Sequence, residues 1–117
     1  MKDPRVRQFA EVLVNYSARV QPGDVVLISC AGLEGAPLVK ELYALCLEKG
    51  AKYVEYEFSI PDIGRYFYNL ANPDQLSFFP QHKLDFMKQV DVYFGLSAAD
   101  NSMVMAKANQ KSMIAWS

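Results

Sequence analysis

Gln21-Pro22-Gly23-Asp24, then Val25-Val26-Leu27-Ile28-Ser29-Cys30, then Ala31-Gly32-Leu33-Glu34-Gly35-Ala36-Pro37-Leu38 is the stretch whose reading decides the fold. The Pro22-Gly23 pair marks a turn. Val25 to Ile28 is an unbroken apolar run, β-branched at all but Leu27. A short run of that kind suits a strand covered on both faces, as strands of parallel sheets are. Cys30 to Gly35 then reads as a loop at the strand's carboxyl end, where open α/β sheets place ligands. Ala36-Pro37 opens a helix.

Working outward, Asp3-Pro4 is a helix start: the carboxylate accepts from first-turn amides, and proline has no amide to leave unpaired. Val6, Phe9, Ala10, Leu13, Val14 and Ser17 recur at helical spacing, so a first helix is expected up to about Val20. Arg5, Arg7, Glu11 and Arg19 fall off that stripe and are expected in water. The second helix should turn Leu38, Leu42, Leu45 and Cys46 inward and Lys40, Glu41, Glu48 and Lys49 outward, ending at Gly50. Tyr53 to Phe58 alternates Val54, Tyr56 and Phe58 against Tyr53, Glu55 and Glu57, the pattern of an edge strand with the first set buried. Between Ser59 and Gln89 short helices are expected. Asp62 caps one with Ile63, Phe67 and Leu70 inward, Asn72-Pro73 ends it, and His82–Gln89 turns Leu84, Phe86 or Met87, and Val90 to the core. Val90 to Leu96 is a third strand, Ser97 to Asn101 a polar loop, and Ser102 to Ser117 a weakly helical tail.

Strands separated by helical crossovers imply parallel pairing and right-handed connections. The expected architecture is a single α/β domain over residues 1–117, three-layered, with a mostly parallel sheet of about three or four strands flanked by helices, Rossmann- or flavodoxin-like. Val25–Ile28 should lie between the other two strands, which brings the Cys30–Gly35 and Ser97–Asn101 loops together across one crevice.

The balance of 12 basic and 13 acidic residues, net charge −1, offers no electrostatic reason for a nucleic-acid partner. The charged start, Met1-Lys2-Asp3-Pro4-Arg5, is not a signal peptide, and no stretch approaches the roughly 20 apolar residues of a membrane span. With only Cys30 and Cys46, and no CxxC, a reducing cytoplasm is the expected setting.

Candidates for chemistry are few. Gly32 and Gly35 make a GxxG, neither a dinucleotide fingerprint nor a phosphate loop, and Pro37 removes an amide an anion would want. Cys30 at a strand end is a nucleophile candidate, yet nothing in the spacing brings the single histidine, His82, to it, and a small buried apolar role is preferred. One histidine and no HExxH leave no metal-ligand set, so none is assigned, and no catalytic residue either. Glu55 and Glu57 share a strand face, read as solvated rather than as an acid–base pair. Ser97 and Asn101 are the substrate-binding candidates. Asp100-Asn101 also reads as the cap of a following helix, the preferred role for such residues. The aromatic clusters at Tyr53–Phe58 and Tyr66–Phe79 are core or a surface that packs on another domain.

Taken in order, Asp3 to Ser17, Val20 to Ile28, Ala36 to Tyr43, Lys49-Gly50-Ala51, Val90 to Tyr93 and Asp100-Asn101 resemble the amino-terminal domain of the aminopeptidase T family of metallopeptidases, which includes leucyl aminopeptidase-like enzymes. The family tends to place a proline after the Asn101 position, where this chain has Ser102. The resemblance implies an enzyme that removes N-terminal residues from peptides with two divalent ions of the zinc, cobalt or magnesium type, as a homodimer. Such ions activate a water and polarise the peptide carbonyl. It also implies that the ligands lie in a carboxyl-terminal catalytic domain beyond these residues, the chain's end at Trp116-Ser117 reading as a domain boundary. This domain would then wall the active-site cavity and be inactive alone. The alternative is a free-standing α/β module holding a nucleotide or phosphate at the Cys30–Gly35/Ser97–Asn101 crevice. A cysteine-dependent enzyme using Cys30 ranks last.

Overall fold

The computed structural model describes residues 3–98, 102–107 and 110–115. Helix α1 (Pro4–Val12) starts where expected, the Asp3 carboxylate accepting from the Arg5 amide at 2.9 Å. It runs into a wider π turn at Leu13–Ser17, closed by the Ala18 amide donating to the Leu13 carbonyl at 2.8 Å. That widening brings Leu13, Val14 and Ala18 into the core together. Arg19, at φ 52°, then reverses the chain toward the Gln21–Asp24 turn.

Strand β1 (Val25–Ala31) leads through a single 3-10 turn at Leu33–Gly35 into helix α2 (Ala36–Glu48). Gly50, at φ 90°, ends α2: its amide donates to Leu47 and that of Ala51 to Cys46, which satisfies two otherwise free carbonyls. Strand β2 (Tyr53–Ser59) follows, then helices α3 (Ile63–Leu70), α4 (Pro73–Ser77) and α5 (Gln81–Met87), then strand β3 (Val92–Ser97). The expected helical tail is a hairpin instead, strands β4 (Ser102–Lys107) and β5 (Gln110–Ala115). Ser102-Met103-Val104-Met105 alternates with period two, and Met103 and Met105 are buried, so β4 completes the core face of the sheet.

The sheet is five-stranded, in the order β2-β1-β3-β4-β5. The pairs β1–β2 and β1–β3 are parallel, and β3–β4 and β4–β5 antiparallel. The protein is thus an α/β domain whose helices flank an open sheet. β1 lies between β2 and β3, as its apolar run required. Val26, Ile28 and Cys30 of β1 and Val92, Phe94 and Leu96 of β3 face α1 and α2, and this interface is the core. Burying a side chain such as Phe94, Ile28 or Leu42 is worth roughly 1.5–3 kcal/mol. At the amino-terminal ends of β1 and β3, Asp91 clamps the strands, its carboxylate accepting from the Val25 amide at 2.9 Å and its amide donating to the Val25 carbonyl.

The β2-to-β3 crossover runs the opposite way across the sheet from the β1-to-β2 crossover. Right-handedness therefore puts α5 on the opposite face from α2. That layer is thin. Phe86 meets Tyr53 edge-on at 6.1 Å, but α3, α4 and α5 contain no fully buried residue.

Several expectations are corrected here. Glu41 is buried, not outward, and Arg7 is half-buried against it: the guanidinium reaches Glu41 at 3.1 Å, Glu11 at 3.3 Å and Glu48 at 3.4 Å, tying α1 to α2. A charge can be buried there because its partner sits opposite on the neighbouring helix, which spacing along one helix cannot reveal. Tyr56 is exposed although it points to the α2 face and meets Tyr43 of α2 edge-on at 5.9 Å, because β2 is the edge strand and leaves its outer flank open. Asp62 precedes α3 in the left-handed region, at φ 67°, and binds Arg65 at 3.3 Å instead of capping the helix. Ile63, Phe67, Leu70, Leu84 and Met87 are exposed rather than inward; Phe86 and Val90 are half-buried.

Candidate ligand-binding crevice

The three parallel strands end side by side, and their loops are stitched together. The Gly32 amide donates to the Ser59 carbonyl at 3.0 Å, and the Ala98 amide to the Ala31 carbonyl at 3.0 Å. The β1 and β3 loops thus lie against each other as the strand order requires. Within the first loop, the Gly35 and Ala36 amides donate to the Gly32 and Leu33 carbonyls. The amides of Gly32, Gly35 and Ala36 are therefore committed internally, and Pro37 has none. The Glu34 carboxylate also lies close over Gly32. A phosphate cradle needs free amides and no neighbouring anion; this loop offers the reverse.

Cys30 closes the space beneath the loop. It is fully buried, its thiol donates to the Gly32 carbonyl at 3.3 Å, and a Cβ added at Gly35 would collide with its sulfur. Gly35 is glycine because the thiol occupies that space. Burial, with the Glu34 charge next, pushes the Cys30 thiol above its ordinary value, so it stays protonated and unreactive near neutral pH. Both cysteines are buried and free, and burial pushes Cys46 up to about 12.

What remains open is a trough of about 350 Å³ on the sheet face away from α1 and α2, near the carboxyl ends of β1 and β3. Ser29, Ser59, Ser97 and Ser102 line it, with Gly95 in its floor. Gly95 has no side chain because the Tyr93 ring lies over it: an added Cβ would meet that ring at 2.8 Å. Among the described residues, the Tyr93 phenol is the one ionisable group that lines the trough. What the described lining offers is neutral hydrogen bonding from hydroxyls.

Ser97, expected as a substrate-binding residue, is in this trough and pairs with Ser102 across the β3–β4 ladder. Asn101, its expected companion, lies outside the described residues, as does Asp100. The helix those residues were expected to cap is strand β4. Ser29, Ser59 and Ser102 were not singled out from sequence, although strand alternation puts Ser29 and Ala31 on the non-core face of β1, as it does Gly95 and Ser97 on β3.

Glu55 and Glu57 line a second hollow, about 400 Å³, with His82 and Lys83 of α5. The Tyr53 hydroxyl donates to Glu55 at 2.6 Å, and that bond holds the phenol above its ordinary pKa. Among the described residues, no group of three or more His, Cys, Asp or Glu side chains is arranged to hold a metal ion. Nor is any described helix long and apolar enough to cross a membrane.

Comparison with known proteins agrees with this architecture. The family described as thermophilic metalloprotease (M29) matches residues 2–117. Aminopeptidase 2 of Geobacillus stearothermophilus is 28% identical over 83 residues, which are 71% of this chain and 20% of the relative. The structure of wild-type AmpT from Thermus thermophilus superimposes with a TM-score of 0.59 at 19% identity, covering 80% of this chain and 24% of that one. The chain thus spans about a fifth of the length of the curated relative it matches.

Proposed function

The chain belongs to the M29 family of thermophilic metalloproteases, and from that membership we propose that it is the amino-terminal domain of a metal-dependent aminopeptidase, an enzyme releasing N-terminal residues from peptides. The domain walls the active-site cavity and contributes binding, not catalysis. The observation that carries this reading is the family match over residues 2–117. The trough, with four serine hydroxyls and no carboxylate, imidazole or thiol among its described lining residues, lies at the strand ends where α/β folds hold ligands.

Two divalent ions, a carboxyl-terminal catalytic domain and a homodimer in the cytoplasm belong to the same reading. The described residues do not suit a metal pair. His82 is exposed, Glu55 is engaged by Tyr53, and no ligand group gathers around them. This reading places the metal on residues outside this chain.

The test is a peptidase assay with divalent metal on the 117-residue chain and on the full-length gene product. Activity is expected only in the latter. In the active enzyme, Ser97→Ala should raise KM roughly fivefold with kcat unchanged, the worth of one hydrogen bond made equally in ground and transition states. Peptide hydrolysis by the 117-residue chain itself would overturn the reading.

A further inference from the structure

Helix α3 carries Ile63, Phe67 and Leu70 at one-turn spacing, the pattern of a core-facing stripe, yet all three are exposed, Leu70 at 75%. The excess continues past it. Of the 17 exposed large apolar side chains among the described residues, 13 lie between Tyr53 and Met87, including Leu76, Phe78 and Phe79. So the exposure is a property of one region and not a scatter over the surface.

Local chemistry specifies this region closely. Asn72 and Gln75 form a reciprocal capping box at 2.8 and 2.9 Å, with Pro73 in the first helical position of α4. Yet helices of five and eight residues are not stable on local terms alone and need a surface to pack on. The composition tells what kind of surface. From Ile63 to Pro80 the only charges are Arg65 and Asp74, and Arg65 is already paired with Asp62. Aromatic-rich, charge-poor faces belong to permanent interfaces, whereas transient ones are more polar. A permanent occupant is at hand if the chain is part of a longer enzyme: this chain covers only 20% and 24% of the two relatives.

We propose that the apolar face of residues 63–79 is the seat on which the remainder of the same aminopeptidase chain packs, an inference that rests on the reading given above. In that case α3 and α4 are the half-built layer of an interdomain core, completed by the enzyme's own carboxyl-terminal part.

The test uses the full-length enzyme with Phe67→p-benzoylphenylalanine, photo-crosslinked and mapped by mass spectrometry. Crosslinks to residues beyond position 117 of the same chain are expected. Crosslinks to a second copy, or none at all, overturn the proposal; mixing isotope-labelled and unlabelled enzyme separates same-chain from between-chain products. A second measurement compares Phe67→Glu/Leu70→Glu in the two lengths of chain. Tm should fall by more than about 5 °C in the full-length enzyme and by less than about 2 °C in the 117-residue chain. Equal shifts overturn it. Peptidase activity of the wild-type full-length enzyme is scored separately, so failure of the aminopeptidase reading is distinguished from failure of the docking surface.

Discussion

Helices α1 and α3 are of similar length, and α3 is the more strongly amphipathic of the two, but they meet opposite fates. The stripe of α1 passes into the core through Ala10, Leu13 and Val14, where α2 and the sheet receive it. The stripe of α3 buries nothing. The difference lies not in the helices but in what faces them. α1 and α2 are locked together by Arg7, which bridges from Glu11 to Glu41 and Glu48 over a shared apolar layer. α3 has no opposing element within the described residues. Amphipathicity states a demand for a partner; it does not supply one.

The sharpest way to break this comparison is to remove the same side chain from each region. Phe94→Ala, at a fully buried position, should cost about 3–5 kcal/mol in denaturant unfolding. Phe78→Ala, at a position 73% exposed, belongs at the other end of the scale. Similar losses from both would mean the α3–α4 region is packed within this chain after all.

The core side is probed next by pH. The Cys46 thiol is held at about 12 in the folded protein, against an ordinary value of 9.0. Between those values the unfolded chain gives up the proton and the folded chain keeps it. The thiol's contribution is therefore complete below pH 9 and declines as pH rises toward 12. The wild-type protein should lose up to about 4 kcal/mol more than Cys46→Ala over that window. Parallel stability–pH curves for the two would refute burial of Cys46.

A smaller effect is expected at the crevice. Gly35→Ala drives a methyl into the Cys30 sulfur and should cost about 1–3 kcal/mol. Adding Cys30→Ala should recover much of that loss in a double-mutant cycle, because the collision partner is gone. Additive losses would place the strain elsewhere. The smallest effect is that of Phe78→Ala and Leu70→Ser in the 117-residue chain, each expected within about 0.5 kcal/mol of wild type.

Local chemistry in the sequence was sufficient for the start of α1, the limits of α2, all three parallel strands and their order. Each depends on groups within a few residues: the Asp3 cap, the proline after Ala36, the glycine at position 50 and the apolar run at Val25–Ile28. The hairpin β4–β5 was not legible, because a short segment such as Met103-Val104-Met105 suits a helix or a strand until a neighbouring strand edge is present to bind it. Of the crevice, Ser97 and the meeting of the two loops were legible. Its other hydroxyls come from β1, β2 and β4, and only their assembly in the sheet makes one surface of them.

By itself, then, the sequence determined which segments are helix or strand along the parallel half of the sheet, and which face of each is apolar, because these are one-dimensional periodicities. Tertiary structure alone decided which apolar faces find cover. The stretch from Gln21 to Leu38 shows both sides of this. Its run of valines and isoleucine announced a central strand, while the character of the loop after it rested on Cys30 filling the space beneath Gly35 and on amides bonded inward. Such contacts depend on distances between chain segments, and no periodicity along one segment encodes them.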